Sequence, residues 1–194
     1  MPFSTDNNWP AGLLRIFKIL RKENKPYESR YYGPYNRLLT YCFGDSFTFF
    51  VAPEKPHSDH SLKEAVDPIF FLIVFDAARH PVLIAEIKDD GWASIASYRL
   101  EADEQLRHQY EVMLHTCPLP RFWGLSLLGT SARIYCGGVA ARTITPPYQA
   151  RPCEDSILPL EFLKGEWDLD ILSQEGFNKM KEIVGDIMTA TAAL

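Results

Sequence analysis

Two stretches in the middle of the chain carry the strongest pattern. Ile69-Phe70-Phe71-Leu72-Ile73-Val74-Phe75 is an unbroken apolar run, and Val82-Leu83-Ile84-Ala85 leads into Glu86-Ile87-Lys88. Short apolar runs rich in β-branched and aromatic residues, bounded by turn signals, predict strands buried on both faces of a sheet. Asp76 to Pro81 reads as the turn between them. An earlier strand is predicted near Phe47-Val51, closed by Pro53 and Pro56. Residues 53–63, rich in Pro, His, Ser, Asp and Lys, read as an exposed loop.

The period then changes to helical. Over 98–115, Leu106, Tyr110, Met113 and Leu114 make an apolar stripe, with Glu101, Glu104, Arg107 and Glu111 as its polar side and Pro118 and Pro120 as its end. Residues 9–22 repeat the pattern, with Leu13, Ile16, Phe17 and Leu20 set against Arg15, Lys18, Arg21 and Lys22, and Pro10 suits the first turn. A further helical patch covers Tyr35 to Phe43, after Gly33-Pro34. Residues 122–128 and 132–136 read as a hairpin around Gly129-Thr130-Ser131. Residues 143–156 read as a Pro-rich linker, and the tail as helices over 157–164 and 174–190. This order predicts one mixed α/β domain over residues 1–194, with its core at about 10–137 and helices packed on a central sheet. The apolar faces of the helices at 9–22 and 174–190 leave two options open, packing on the core or pairing two copies as a homodimer.

Composition narrows the function classes. The chain has 194 residues, 46% of them hydrophobic and 23% charged, so it can build a core and is not a disordered tract. A net charge of −5 counts against a generic nucleic-acid coat, whose affinity comes from neutralising phosphates. It is compatible with a site that is acidic until a cation loads. Cys42, Cys117, Cys136 and Cys153 show neither a C-x-x-C pair nor a zinc spacing, and are expected to be thiols in a reducing compartment. The start Met1-Pro2-Phe3-Ser4 lacks a basic and then apolar leader, and residues 69–75 are too few to span a bilayer. The expectation is an intracellular protein, in cytoplasm or nucleus, with no membrane partner.

Candidate chemistry sits at the end of the second buried strand. Glu86 and Lys88 are two apart, so both project from one face while Ile87 projects from the other. Burying a carboxylate and an ammonium there carries a desolvation cost that some function should offset. Asp67 stands at the mouth of the preceding strand. With Phe75 opposite Val82, Asp67 and Glu86 lie roughly 13 Å apart along the strand; a turn centred on Ala77-Ala78 leaves roughly 6–7 Å, and a tight turn at Asp76-Ala77 sets them face to face. All three registers keep Asp67, Glu86 and Lys88 on one face, and sharing a cation requires a tighter turn or a bulge. Two carboxylates and a backbone carbonyl make a hard-oxygen site for Mg²⁺ or Mn²⁺. Such a cation polarises a phosphodiester and acidifies a bound water, while Lys88 orients that water or stabilises phosphate charge.

Asp67, then Glu86-Ile87-Lys88, then a helix carrying Gln105 resembles the PD-(D/E)XK nuclease superfamily, and Ser97 to Arg107 is similar to a helix in its fungal members. The resemblance implies an α/β restriction-endonuclease-like fold, a mixed central sheet flanked by helices. Its parts would be a helix, an antiparallel hairpin carrying the Asp and the (D/E)-x-K, a crossing helix and a further strand. It implies Asp67, Glu86 and the Ile87 carbonyl as metal ligands, Lys88 as the catalytic lysine, and Gln105 as the helix residue that reaches the site. It further implies DNA or RNA as substrate. Two departures stand out: Tyr110 falls five residues after Gln105 where the family's Gln-x-x-x-Tyr needs four, and Pro68 follows Asp67 instead of preceding it. A nuclease-fold module without turnover, used for nucleic-acid or protein binding, is the alternative.

Other constellations are weaker. His57-Ser58-Asp59-His60 reads as a polar loop before it reads as a metal site, and His80, His108 and His115 read as surface histidines. No G-x-S-x-G, P-loop or G-x-G-x-x-G occurs; the stretch Gly124 to Gly129 only looks like a nucleophile elbow. Arg99, Arg107, Arg121, Arg133 and Arg142 could form a basic rim for phosphates or be scattered surface arginines. Trp92 could stack a base or serve as a core residue. Asp89 and Asp90 could neutralise Lys88, add ligands, or mark a solvated strand end.

Overall fold

A computed structural model describes residues 2–22, 29–44, 47–54, 71–153 and 157–194. The two apolar runs become strands β2 (Phe71–Asp76) and β3 (Pro81–Lys88), buried at every position. They are antiparallel neighbours in the middle of a mixed seven-stranded sheet. β1 (Phe49–Glu54) pairs antiparallel with β2, and β4 (Arg121–Leu128) lies parallel to β3 on its other side. β5 (Ser131–Gly138) turns back from β4, and both β6 (Thr143–Thr145) and β7 (Leu169–Asp170) pair antiparallel with β5. The path runs β1-β2-β3-β4-β5-β6, with β7 off it.

Parallel neighbours need a crossover. Helix α4 (Ala96–Leu114) supplies it between β3 and β4, after a short 3-10 helix at Asp90–Ser94. α4 lies on the sheet face that carries Glu86. On the other face sit α3 (Ser29–Phe43), where Phe43 meets Phe49, and α5 (Gln174–Thr191), where Asp186 accepts a hydrogen bond from Trp123. α1 (Pro2–Thr5) and α2 (Ala11–Lys22) pack outside α3. Phe17 of α2 and Phe177, Met180 and Ile183 of α5 are fully buried, so these two apolar faces pack on the core. No helix among the described residues is long and apolar enough to cross a membrane.

Several boundaries differ from the sequence expectation, for local physical reasons. α3 starts at Ser29, and Pro34 sits inside it; the buried stripe Tyr31, Tyr35, Leu38, Leu39 outweighs the hydrogen bond that proline removes. β1 runs through Pro53 to Glu54, because an edge strand can hold a residue that donates nothing to its outer side. Ile16 is 39% exposed, since α2 packs through the narrower line of Leu13 and Phe17. Within the expected linker, Thr143–Thr145 forms β6. Residues 160–167 are a string of turns instead of a helix, with Leu163 at φ 55° and Gly165 at φ 82°. The expected loop at 55–63, with His57 to His60, lies outside the described residues.

The β2–β3 ladder pairs Phe71 with Glu86 and Val74 with Leu83, then shifts through a β-bulge to pair Phe75 with Pro81. Up to the bulge this is the widest of the three registers considered above. Phe71, four residues after Asp67, therefore faces Glu86, and Asp67 itself lies outside the described residues.

Candidate functional site

Ladder registers align Glu86 of β3 with Ser126 of β4, and Ser126 with Arg133 of β5. Three polar side chains thus form one row across the centre of the sheet on the α4 face. Glu86 and Ser126 are 0% exposed and Arg133 is 5% exposed. Ser126 Oγ donates to Glu86 Oε2 at 3.3 Å, and Trp167 Nε1 donates to Ser126 Oγ at 3.1 Å. An indole N–H can only donate, so this contact occupies a lone pair of Ser126 and leaves the hydroxyl proton for the carboxylate.

Lys88 projects from the same face one pleat further on and is 4% exposed. Its Nζ lies 4.6 Å from the Trp92 ring centroid, a cation–π contact, and Trp92 packs on Tyr98 at 4.9 Å. Asp89 and Asp90, directly after it, hold other partners. Arg30 Nη2 donates to Asp89 Oδ2 and Asp90 Oδ2, each at 2.8 Å, and Tyr31 Oη donates to Asp90. Asp89 also caps the 3-10 helix at the Gly91 amide, 3.0 Å away. Tyr35 Oη donates to the Gly129 carbonyl at 2.6 Å, and the Gly129 amide donates to the Lys88 carbonyl at 2.9 Å. Gly129 has φ 65°, and a Cβ there would sit 2.0 Å from Asp90 Oδ1. The two aspartates therefore clamp α3 and the β4–β5 turn against the end of β3. Burial, with the Asp90 hydrogen bond and charge behind it, pushes the Tyr31 phenol up to about 12; burial also raises Tyr35.

A second polar centre flanks the row. Asp103 of α4 is 0% exposed; its Oδ1 accepts from Arg133 Nη1 at 2.9 Å and Tyr135 Oη at 2.6 Å, and its Oδ2 from Arg107 Nε at 2.8 Å. Arg133 stacks on Trp167, with Cζ 5.2 Å from the ring centroid, and its Nη2 reaches Glu166 at 3.1 Å. Arg99, one turn before Asp103, donates to three carbonyls: Ala93 at 2.7 Å, Leu160 at 2.6 Å and Phe162 at 2.8 and 3.0 Å.

Of the residues expected from sequence, the structure places Glu86 and Lys88 on one buried face and Ile87 on the other, as alternation requires. Gln105 is half-buried and its amide donates to Glu101 at 2.9 Å; Asp103 is the α4 carboxylate that touches the polar row. Tyr110 is a packing residue whose hydroxyl donates to the Phe122 carbonyl. The five arginines do not make a rim. Arg99, Arg107 and Arg133 are buried on carbonyls and Asp103, Arg121 is exposed and pairs with Asp186, and Arg142 is exposed. His108 and His115 are exposed; His80 sits 3.0 Å from Asp76. Cys42 and Cys117 are buried, Cys136 is half-buried and Cys153 exposed, with no disulfide among the described residues.

Sequence reasoning missed Ser126, Trp167 and Asp103. Ser126 had a readable signal, as the one polar residue in the apolar strand Phe122 to Leu128. Nothing local marks Trp167, which lies 41 residues from its partner. Among the described residues no group of three or more His, Cys, Asp or Glu side chains is placed to hold a metal ion, and Glu86 is the carboxylate they bring to the row. Comparison with protein-family models, with curated proteins and with solved structures finds no match for this chain.

Proposed function

We propose that the chain is a metal-dependent phosphodiester hydrolase acting on nucleic acid, of the PD-(D/E)XK kind, with Glu86 and Lys88 at its centre. One observation carries this reading. A carboxylate and an ammonium, two residues apart, are sunk into a single face at the end of the central strand β3, 0% and 4% exposed. Burial at that depth is expensive, and the pair is what phosphodiester hydrolysis asks for. The element order supports it: helix α3, hairpin β2–β3, crossing helix α4 and a parallel strand β4 come in the sequence that the resemblance implies.

On this reading Glu86 and the Ile87 carbonyl hold a divalent cation, and Asp67 completes the set only if the chain before Phe71 leaves the β2–β3 register, which carried on unbroken would set the two carboxylates roughly 13 Å apart along the strand. The described residues supply one carboxylate of that set; the other belongs to Asp67. Mg²⁺ or Mn²⁺ bound there would supply charge neutralisation and an acidified water. Ser126 holds the Glu86 carboxylate by its hydroxyl. Lys88, steadied by the Trp92 ring, places its ammonium where it can orient the water or meet phosphate charge. The rival reading is a binding module that keeps the fold without turnover, and the Trp167–Ser126 bond over a fully buried Glu86 favours it.

A cleavage panel of single- and double-stranded DNA and RNA with Mg²⁺ and Mn²⁺ tests the proposal. Metal-dependent cleavage should fall by about 10²-fold or more in Asp67→Ala, Glu86→Ala and Lys88→Ala, with the circular dichroism of each unchanged. Equal activity in the parent and the triple variant would refute it. Calorimetric titration with Mn²⁺ separates the rival: tight binding that disappears in Glu86→Ala supports the hydrolase, and none in the parent supports the binding module.

A further inference from the structure

We propose that residues 158–168 form a cap over the Glu86 site that opens as a unit, with Arg99 as its latch. The inference concerns regulation of that same site, and so its meaning for catalysis rests on the hydrolase reading.

The segment is built to separate from the body. Its internal backbone bonds are local: Phe162 N to Pro159 O at 2.9 Å, Lys164 N to Glu161 O at 3.0 Å, Glu166 N to Leu163 O at 3.4 Å. It joins the sheet ladder only afterwards, where Leu169 and Asp170 pair with Ala132 and Ser131. Its apolar side chains Leu158, Phe162, Leu163 and Trp167 pack on Ala96, Leu100, Ala102 and Leu128, a cluster distinct from the main core. Lifting the segment exposes this satellite cluster and leaves the packing of the sheet with α3 and α5 intact. Units of this kind open sub-globally, at lower free energy than the whole fold.

The same segment shuts the site. Trp167 reaches Ser126, which in turn touches Glu86, and both are fully buried, so a phosphodiester cannot meet the carboxylate while the indole stays in place. The hold comes chiefly from α4. Arg99, itself 3% exposed, binds the Leu160 and Phe162 carbonyls of the cap and ties them to the Ala93 carbonyl of the preceding 3-10 helix. A guanidinium bonded to neutral carbonyls is open to exchange, because an anion brings the opposite charge that carbonyls lack and can bind it through two parallel N–H groups. A phosphate arriving at Arg99 would take the latch off the cap and thereby uncover Glu86.

Amide hydrogen exchange on the full chain, read by mass spectrometry, tests this. Amides of 160–168 should exchange at least about a hundredfold faster than those of β3 and β4, and Arg99→Gln should speed them roughly tenfold more, leaving β3, β4 and α5 unmoved. Inorganic phosphate should speed the same amides in the parent and not in Arg99→Gln. The cap is overturned if 160–168 exchange only at the global rate of the sheet, or if Arg99→Gln speeds every element alike. The two proposals fail separately. Expected exchange with no cleavage by any form leaves the cap standing and removes the hydrolase. Glu86-dependent cleavage with a cap that exchanges only globally does the reverse.

Discussion

Asp103→Asn should be among the most damaging isosteric changes in the protein. The carboxylate is fully buried and accepts from three donors, two on β5 and one on its own helix. Asparagine keeps the volume but turns an N–H toward one of those donors and withdraws the charge facing Arg107 and Arg133. Breaking a buried ion pair by removing one partner costs roughly 3–5 kcal/mol. Two partners pull the value to the lower end: Arg107 keeps the Pro146 carbonyl at 2.7 Å, and Arg133 keeps the partly exposed Glu166. We expect about 3 kcal/mol, against a total of roughly 5–15 kcal/mol for a folded domain. In urea titrations followed by tryptophan fluorescence the midpoint should fall by roughly 1–3 M. Tyr135→Phe is the internal control, removing a neutral donor at a cost of about 0.5–1.5 kcal/mol. Asp103→Asn within about 1 kcal/mol of the parent, or no worse than Tyr135→Phe, would refute the hub.

Two other outcomes follow from the same geometry. Gly124 and Gly137 lie under the Tyr110 ring, where an added Cβ would sit 2.9 Å from Cε2 and 2.6 Å from Cε1 respectively, while the Tyr110 hydroxyl is tied to Phe122. Gly124→Ala should cost about 1–3 kcal/mol by overpacking and much less in a Tyr110→Leu background, as thermal melts of the three variants would read. Tyr31 is neutral in the fold up to about pH 12 but ionises near 10 once unfolded, so its contribution is complete below pH 10 and lost as pH rises toward 12. The fall in melting temperature between pH 9 and 11 should be shallower in Tyr31→Phe, and an unchanged fall would show that Asp90 and burial do not govern this phenol.

The sheet was legible wherever burial was two-sided. β2, β3 and β4 announce themselves as predominantly apolar runs, because both faces are covered. α4 was legible as an element but not as a surface. Arg99, Asp103 and Arg107 read as polar positions on it, yet they are buried on one another and on carbonyls, and a single-residue pattern cannot tell a solvated charge from a paired one. The short strands β6 and β7 owe their form to β5 alone, so their own residues carry little signal. Glu86 and Lys88 were readable for the opposite reason: charge inside an apolar strand violates its own context. The register of β2 against β3 was not readable, since Val82 is absorbed in a bulge that no turn residue marks.

Two buried polar centres share one face of this sheet, and their chemistry sorts them. Asp103 is saturated by short bonds, two of them from guanidinium groups, which makes it a structural joint between α4 and β5. Glu86 accepts from Ser126 at 3.3 Å and the Lys88 ammonium lies against the Trp92 ring, each with further contacts besides. A fold needing only stability would place hydrophobic residues on such a strand, because well-packed apolar side chains equal or surpass buried ions there. The joint explains the site's position: by fixing Arg133 under Trp167, Asp103 sets where the indole meets Ser126. Asp103→Asn should therefore also quicken exchange of amides 160–168 ahead of the sheet. A loss of stability spread evenly over all elements would instead show that the joint and the cap are uncoupled.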